Sequence, residues 1–231
     1  MHYIYTTHTP TPSDLRLTRT MRIIPRLINF ALMTVRNLSI DESHGLSHAL
    51  TVLQHSHNIL ESEIPTRHYL SEQRDIIYTS ALVHDLCDKK YMDEYKGIEN
   101  IHRFLIKETP LIPSEVAVVE KIISTMSYSK VKAQGYPSSL GQYEMAYHIV
   151  READLLSAYD VDRSIIYNMN NVNGDFSQSL QNALDLFDTR VLKHNEDGLF
   201  ITDYSKKLSL VLEKNAREKI TLWREILAPY E

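Results

Sequence analysis

The chain has 231 residues, of which 43% are hydrophobic and 24% charged, and this near-average composition argues against collagen-like, disordered and membrane-spanning proteins. Because 30 acidic residues outnumber 25 basic ones, the net charge is -5 and the protein as a whole repels polyanions, so we expect no nucleic-acid partner. The single cysteine, Cys87, excludes an internal disulfide and a thiolate zinc cluster, and we expect a cytoplasmic protein.

Helical periodicity dominates the chain after a Thr/Pro-rich tail at residues 1–12, and no strand-like alternation of useful length occurs. Glycine and proline number only 6 and 8, which favours long helices over many turns. The sequence therefore predicts an all-α fold. The predicted helices are 14–37, 43–61, 72–86, 96–107, 114–126, 141–160, 162–170, 177–194 and 202–227.

The predicted organisation is a flexible tail at 1–12, a helical domain at 13–170 and C-terminal helices at 171–231 that pack on it as one continuous domain. A polar run at 168–176, with Gly174, marks the weakest connection. The apolar stretch 23–35 is interrupted by Pro25 and is too short for the about 20 residues of a spanning helix, so we expect no membrane association. The arginine-rich N-terminus leaves an organelle transit peptide open as an alternative to a first helix capped by Ser13.

Three ionisable residues fall on apolar helix faces. In the third predicted helix, the apolar stripe continues directly into His84 and Asp85. In the sixth, Val150, Asp154 and Ala158 follow one another at intervals of four, which places Asp154 among apolar neighbours. We therefore expect all three to be buried.

A buried carboxylate without a partner costs several kcal/mol, on the order of the whole stability of a fold. Carboxylates and imidazoles from separate helices can meet this cost by sharing one divalent ion. Such a ligand set suits Mn, Fe, Co, Ni or Zn better than calcium. Since adjacent helical residues point about 100° apart, His84 and Asp85 can reach one ion only beyond the last turn of their helix.

Three short motifs together resemble a known family. They are SHGLSHALTV at 43–52, ALVHDL at 81–86 and EADLLSA at 152–158. Their order and spacing resemble the H…HD…D signature of the HD-domain metal-dependent phosphohydrolases, over roughly residues 40–160, and more narrowly the small HD proteins related to nucleotide pyrophosphohydrolases. The resemblance implies an all-α HD-domain bundle over 13–170, with a C-terminal helical extension.

The resemblance implies one divalent transition metal, held by His48, His84, Asp85 and Asp154. His48 fits the first position better than His44, because an aliphatic residue follows it by four. His44 would then contact the substrate or support a ligand, although a His44/His48 pair could itself bind a metal.

A second ion would require further histidines between the HD pair and the last aspartate. The sequence offers only His102 and His148 there, so we expect one ion.

The family commonly places an acid four residues after the HD histidine to deprotonate water, and here that residue is Asp88, our predicted general base. Lys89, Lys130 and Lys132 are candidates for binding phosphate oxygens. Cys87 is interpreted as a packing residue rather than a nucleophile.

The sequence thus predicts a metal-dependent phosphohydrolase that cleaves a nucleotide or related small phosphate ester by attack of a metal-bound water. One alternative is a guanosine alarmone hydrolase, and another is an HD module that binds metal and nucleotide without turnover. A homo-oligomer is left open.

Overall fold

The computed structural model describes the backbone of residues 12–41, 44–171 and 175–227 and, within these ranges, the side chains of 19–41, 44–170 and 175–227. Ten α-helices and three short 3₁₀ turns make up this part of the chain, and it contains no strand, which confirms the all-α prediction. Residues 1–11 of the predicted tail at 1–12 and the predicted helix start at Ser43 lie outside the described residues. Pro12 is already helical, so Ser13 lies inside the first helix and does not cap it as predicted.

The helices follow one another with short connections. In chain order they are α1 Pro12–Leu38, α2 Leu46–Glu63, α3 Arg74–Val83, α4 Glu94–Glu108, α5 Pro113–Thr125, α6 Tyr128–Gln134, α7 Glu144–Ser157, α8 Val161–Asn171, α9 Phe176–Thr189 and α10 Asp203–Leu227. The 3₁₀ turns are His68–Gln73, Gly141–Tyr143 and Val191–Lys193.

The predicted boundaries differ from the structure mainly at four places. The helix predicted over 141–160 begins as a 3₁₀ turn and ends at Ser157. The helix predicted over 72–86 begins as a 3₁₀ turn and ends at Val83, and the one predicted over 177–194 ends at Thr189. Helix α6 was expected to be loop, because seven residues hold too few turns for a periodic signal.

Helix α2 lies at the centre of the molecule. It packs against α3 and α7, with Val52, Ile59 and Leu60 fully buried. Helix α1 covers α3 through the buried Ile23 and Leu27. No helix in the described part of the chain combines the length and hydropathy needed to cross a bilayer.

A buried carboxylate attaches the C-terminal helix to α7. Glu152 is fully buried and accepts hydrogen bonds from the backbone N–H of Ile201 at 2.6 Å and from the hydroxyl of Thr202 at 2.6 Å. Its Oε1 also lies 3.4 Å from Nη2 of the buried Arg151. Helix α10 therefore begins at a fixed point on α7. The predicted division between the two regions falls next to 172–174, outside the described residues.

We expect Glu152→Ala to lower the free energy of unfolding by about 3–5 kcal/mol, because it leaves the donors before α10 without their acceptor and the buried Arg151, which still donates to the carbonyl of Leu199, without a carboxylate. Urea unfolding followed by circular dichroism measures the effect. Glu225→Ala, at an exposed position of α10, is the control and should stay within about 0.5 kcal/mol of the parent protein. Equal stabilities of the two variants would contradict this role of Glu152.

Candidate metal centre

The HD pair lies immediately after the end of α3, where the sequence argument requires it. Helix α3 ends at Val83, and His84 and Asp85 occupy the following turn. Helix α4 supports this turn closely: a Cβ atom on Gly97 would lie 2.7 Å from Cβ of Cys87. Glycine is therefore required at this crossing, because any larger residue would push α4 away from the HD turn.

Four side chains from three parts of the chain converge at this turn. Nε2 of His48, on α2, lies 3.1 Å from Nε2 of His84. Oδ2 of Asp85 lies 3.2 Å from the first of these nitrogens and 3.3 Å from the second. Oδ1 of Asp154, on α7, lies 3.3 Å from Nε2 of His48 and 3.8 Å from Nε2 of His84.

These separations match those between ligand atoms around a single ion. With metal–ligand bonds of about 2.1 Å, adjacent ligands lie about 3.0 Å apart in an octahedron and about 3.4 Å apart in a tetrahedron. The donor atoms of His48, His84 and Asp154 all fall within 4.8 Å of one another, so this group could hold a metal ion. Asp85 is not part of this group of three, although its Oδ2 lies 3.2 Å and 3.3 Å from the two imidazole nitrogens.

The backbone orients His84 for this role. Its Nδ1 donates a hydrogen bond to the carbonyl of Ala81 at 2.9 Å, so in the neutral imidazole the lone pair is on Nε2, which faces the other donor atoms. The turn that positions the residue also fixes its tautomer.

His48 is oriented differently. Its Nδ1 contacts Nη1 of Arg163, and Oγ of Ser157 lies 3.4 Å away. A guanidinium only donates, so this contact requires an unprotonated Nδ1. Metal ligation through Nε2 would require the proton on Nδ1. The contact with Arg163 would then have to be replaced by a hydrogen bond from Nδ1 to Oγ of Ser157.

The two aspartates are less buried than predicted: the side chain of Asp85 is 20% exposed and that of Asp154 is 29% exposed. Both line a cavity of about 290 Å³ that opens above the cluster. The apolar residues at intervals of four on its helix predict that Asp154 points inward. They do not predict that a cavity lies beyond its side chain.

Opposite charges control the titration of the cluster. Burial disfavours the imidazolium of His84, but the carboxylates of Asp85 and Asp154 prevail and raise its pKa to about 9. Burial would raise the pKa of Asp154, yet the hydrogen bond from His48 and the charge of His84 lower it to about 2. The pKa of Asp85 also lies well below its usual value, because both histidines outweigh its burial.

These shifts predict that the stability of the metal-free protein depends on pH in a way that the stability of the metal-loaded protein does not. A histidine whose pKa is raised from 6.5 to about 9 on folding contributes its stability below pH 6.5 and loses it as the pH rises through 9. We expect the metal-free protein to lose about 3 kcal/mol between pH 6 and pH 9.

The metal-loaded protein should not lose this stability, since a ligating His84 carries no proton on Nε2. Urea unfolding at both pH values, with chelator and with added metal, provides the measurement. An equal loss under both conditions would contradict a metal at His84.

The same cavity contains most of the other predicted site residues. Asp88 and Lys89 line it, and Oδ1 of Asp88 accepts a hydrogen bond from the backbone N–H of Lys90 at 2.9 Å. Lys130 lines it too, but its ammonium group pairs with Glu94 and donates to the carbonyl of Ser124 at 2.7 Å. Lys130 is therefore held by protein groups, whereas Lys89 makes no ion pair with any described residue.

His44 lies before the start of α2 and faces the cavity from the side. Its Nε2 accepts a hydrogen bond from the ammonium of Lys90 at 3.1 Å, and its Nδ1 lies 3.3 Å from the hydroxyl of Tyr91. Its ring centre is 6.3 Å from that of His48. This position fits a residue that faces a ligand in the cavity better than one half of a helical metal-binding pair.

Two arginines of the cavity were missed by the sequence analysis. Arg163 lies in the first turn of α8, and Arg190 follows α9; neither guanidinium forms an ion pair with a carboxylate of the described residues. The guanidinium of Arg190 lies 4.2 Å from the ring centre of Tyr128, and its Nε is buried without a hydrogen-bond partner. Nothing in the sequence marks them. Arg190 lies at the C-terminal end of α9, where an arginine commonly compensates the helix dipole, and Arg163 is a single basic residue in the first turn of α8 with no pattern around it.

The remaining histidines between the HD pair and Asp154 lie elsewhere. Nδ1 of His102 lies 2.6 Å from Glu120 on the surface, and His148 packs beside Arg151 and Tyr136. Burial raises the pKa of the Cys87 thiol to about 12, which fits its interpretation as a packing residue.

Comparison with known proteins identifies no relative: no family model matches the chain, and neither a curated protein nor a solved structure does.

Proposed function

We propose that this chain is a metal-dependent phosphohydrolase of the HD type, with one divalent transition metal held by His48, His84, Asp85 and Asp154. The observation that carries the proposal is the juxtaposition of two features in one cavity. At its floor two imidazole nitrogens lie 3.1 Å apart, and each has an oxygen of two carboxylates within 3.2–3.8 Å; arginines without carboxylate partners among the described residues form its wall. A site with this polarity suits an anion that bridges a cation and the guanidinium groups.

The donor set fits the proposed ion. Neutral imidazole and carboxylate together favour Mn, Fe, Co, Ni or Zn over the oxygen-coordinated calcium. A divalent ion bound there would lower the pKa of water and draw electron density from a phosphate oxygen.

The protein residues would complete the reaction. Asp88, at the edge of the cavity, would accept the proton of the attacking water, and Arg190, Arg163 and Lys89 would stabilise the charge that develops on the phosphate oxygens. The substrate class is then a small phosphate ester or anhydride, and we take a nucleotide as its form.

The test is a turnover panel on metal-stripped protein. With manganese added back, we expect about one ion per chain and release of phosphate or pyrophosphate from at least one nucleoside mono-, di- or triphosphate. Without metal, release should stop.

Two variants complete the design. His84→Gln should lose both metal and turnover, whereas His102→Gln, at an exposed histidine away from the cluster, should keep both. Full metal content and tight nucleotide binding without any turnover would overturn the enzymatic proposal and leave a binding module.

A further inference from the structure

A second cavity of about 430 Å³ lies beside the metal centre. Tyr128 and Leu155 line both cavities, so the two cavities are adjacent. Leu155 directly follows Asp154, and the ring of Tyr128 carries Arg190 on the metal-centre side. The base of a ligand whose phosphates reach the metal centre would then enter the second cavity beside Tyr128.

The walls of the second cavity suit a flat aromatic group. Met126 and Leu155 are buried and apolar, while the ring of Tyr136 is 44% exposed. The guanidinium of Arg151, which also lines the cavity, lies 5.0 Å from the centre of that ring and makes a cation–π contact with it. The volume falls within the range of about 300–1,000 Å³ that is usual for small-molecule sites.

Two exposed charges of opposite sign also line this cavity. Asp197, in the loop before α10, makes no hydrogen bond or ion pair through its carboxylate with any described residue. Lys132, on α6, makes no ion pair there either, and its ammonium lies 5.7 Å from the ring centre of Tyr128. Besides the buried Arg151, the cavity thus offers one exposed group that only accepts hydrogen bonds and one that only donates them.

We propose that the second cavity binds the base of a guanine nucleotide and that Asp197 is the residue that selects guanine. Guanine presents two adjacent donors, N1–H and the N2 amino group, to an acceptor-only carboxylate, and presents O6 and N7 to a cation such as Lys132. On adenine the unprotonated N1 lies beside the amino group and would face the carboxylate with a lone pair. The inference rests on the proposed function for the position of the phosphates.

Binding of nucleosides tests the cavity without the metal chemistry. We would titrate the metal-free full chain with guanosine and with adenosine by calorimetry, since neither carries a phosphate. The variant is Asp197→Asn, at an exposed position where the side chain supports no other group. Its control is Glu196→Gln, an exposed neighbour that does not line the cavity.

We expect guanosine to bind more tightly than adenosine, and Asp197→Asn to reduce this preference by about 10- to 100-fold while Glu196→Gln leaves it unchanged. Absence of guanosine binding, stronger binding of adenosine, or a preference that survives in Asp197→Asn would each overturn the inference. Guanosine binding without nucleotide turnover would overturn only the proposed hydrolysis, and turnover without base preference would overturn only the role of the second cavity.

Discussion

Asp154→Asn should lose the metal ion and the activity together. The amide is nearly isosteric with the carboxylate, and its oxygen can still accept a hydrogen bond from Nε2 of His48, 3.3 Å away. It brings no charge to neutralise a cation, however. Since loss of a residue that merely supports a ligand costs about 10- to 100-fold in metal affinity, loss of a ligand should cost more, and we expect turnover to fall at least about 10³-fold.

The matched control is Asp160→Asn in the same cavity. Asp160 accepts a hydrogen bond from the backbone N–H of Arg163 at 3.1 Å, and asparagine caps a helix equally well, so this variant should keep both metal and turnover. Elemental analysis after gel filtration gives the metal content, and the manganese-dependent assay gives the rate.

The metal-free stability of Asp154→Asn has no bearing on the outcome, because a site of paired charges can be less stable than its neutral variant. A variant that keeps a full equivalent of tightly held metal and normal turnover would contradict the ligand assignment.

The helix faces of the candidate site could be predicted because a period of 3.6 residues is a local property. The row that leads to Asp154 and the stripe that ends at His84 are visible in the sequence, and α3 ends at Val83, one residue before the HD pair. A local pattern thus predicts the direction in which a side chain leaves its own helix, and nothing beyond that.

What lies beyond that direction is decided by packing between helices. The cavity over Asp85 and Asp154, and the arginines that enter it from α8 and from the end of α9, depend on how those helices approach α7. An arginine at a helix end has the same sequence context whether it faces solvent or a metal centre. Arg163 and Arg190 were therefore beyond a reading of the sequence.

Asp88 separates catalysis from metal binding, and its structural role makes the choice of variant decisive. Its Oδ1 accepts the backbone N–H of Lys90 at 2.9 Å, and its Oδ2 lies 3.9 Å from the ammonium of the same lysine. Removal of the side chain in Asp88→Ala therefore affects both a possible base and the turn that follows the HD pair. This variant alone should cost about 0.5–2 kcal/mol of stability whatever the catalytic role.

Asp88→Asn resolves the two roles, because its amide oxygen can still accept the Lys90 N–H but cannot take a proton from water at neutral pH. If Asp88 is the general base, both variants should lower turnover by about 10²- to 10⁴-fold while metal content stays near one ion per chain, and the acidic limb of the pH–rate profile that belongs to this carboxylate should disappear. If Asp88 only shapes the turn, Asp88→Asn should match the parent protein in rate, profile and stability, and Asp88→Ala should differ from it only in stability. A parent-like rate and profile in Asp88→Asn would therefore remove the general-base role while leaving the metal centre intact.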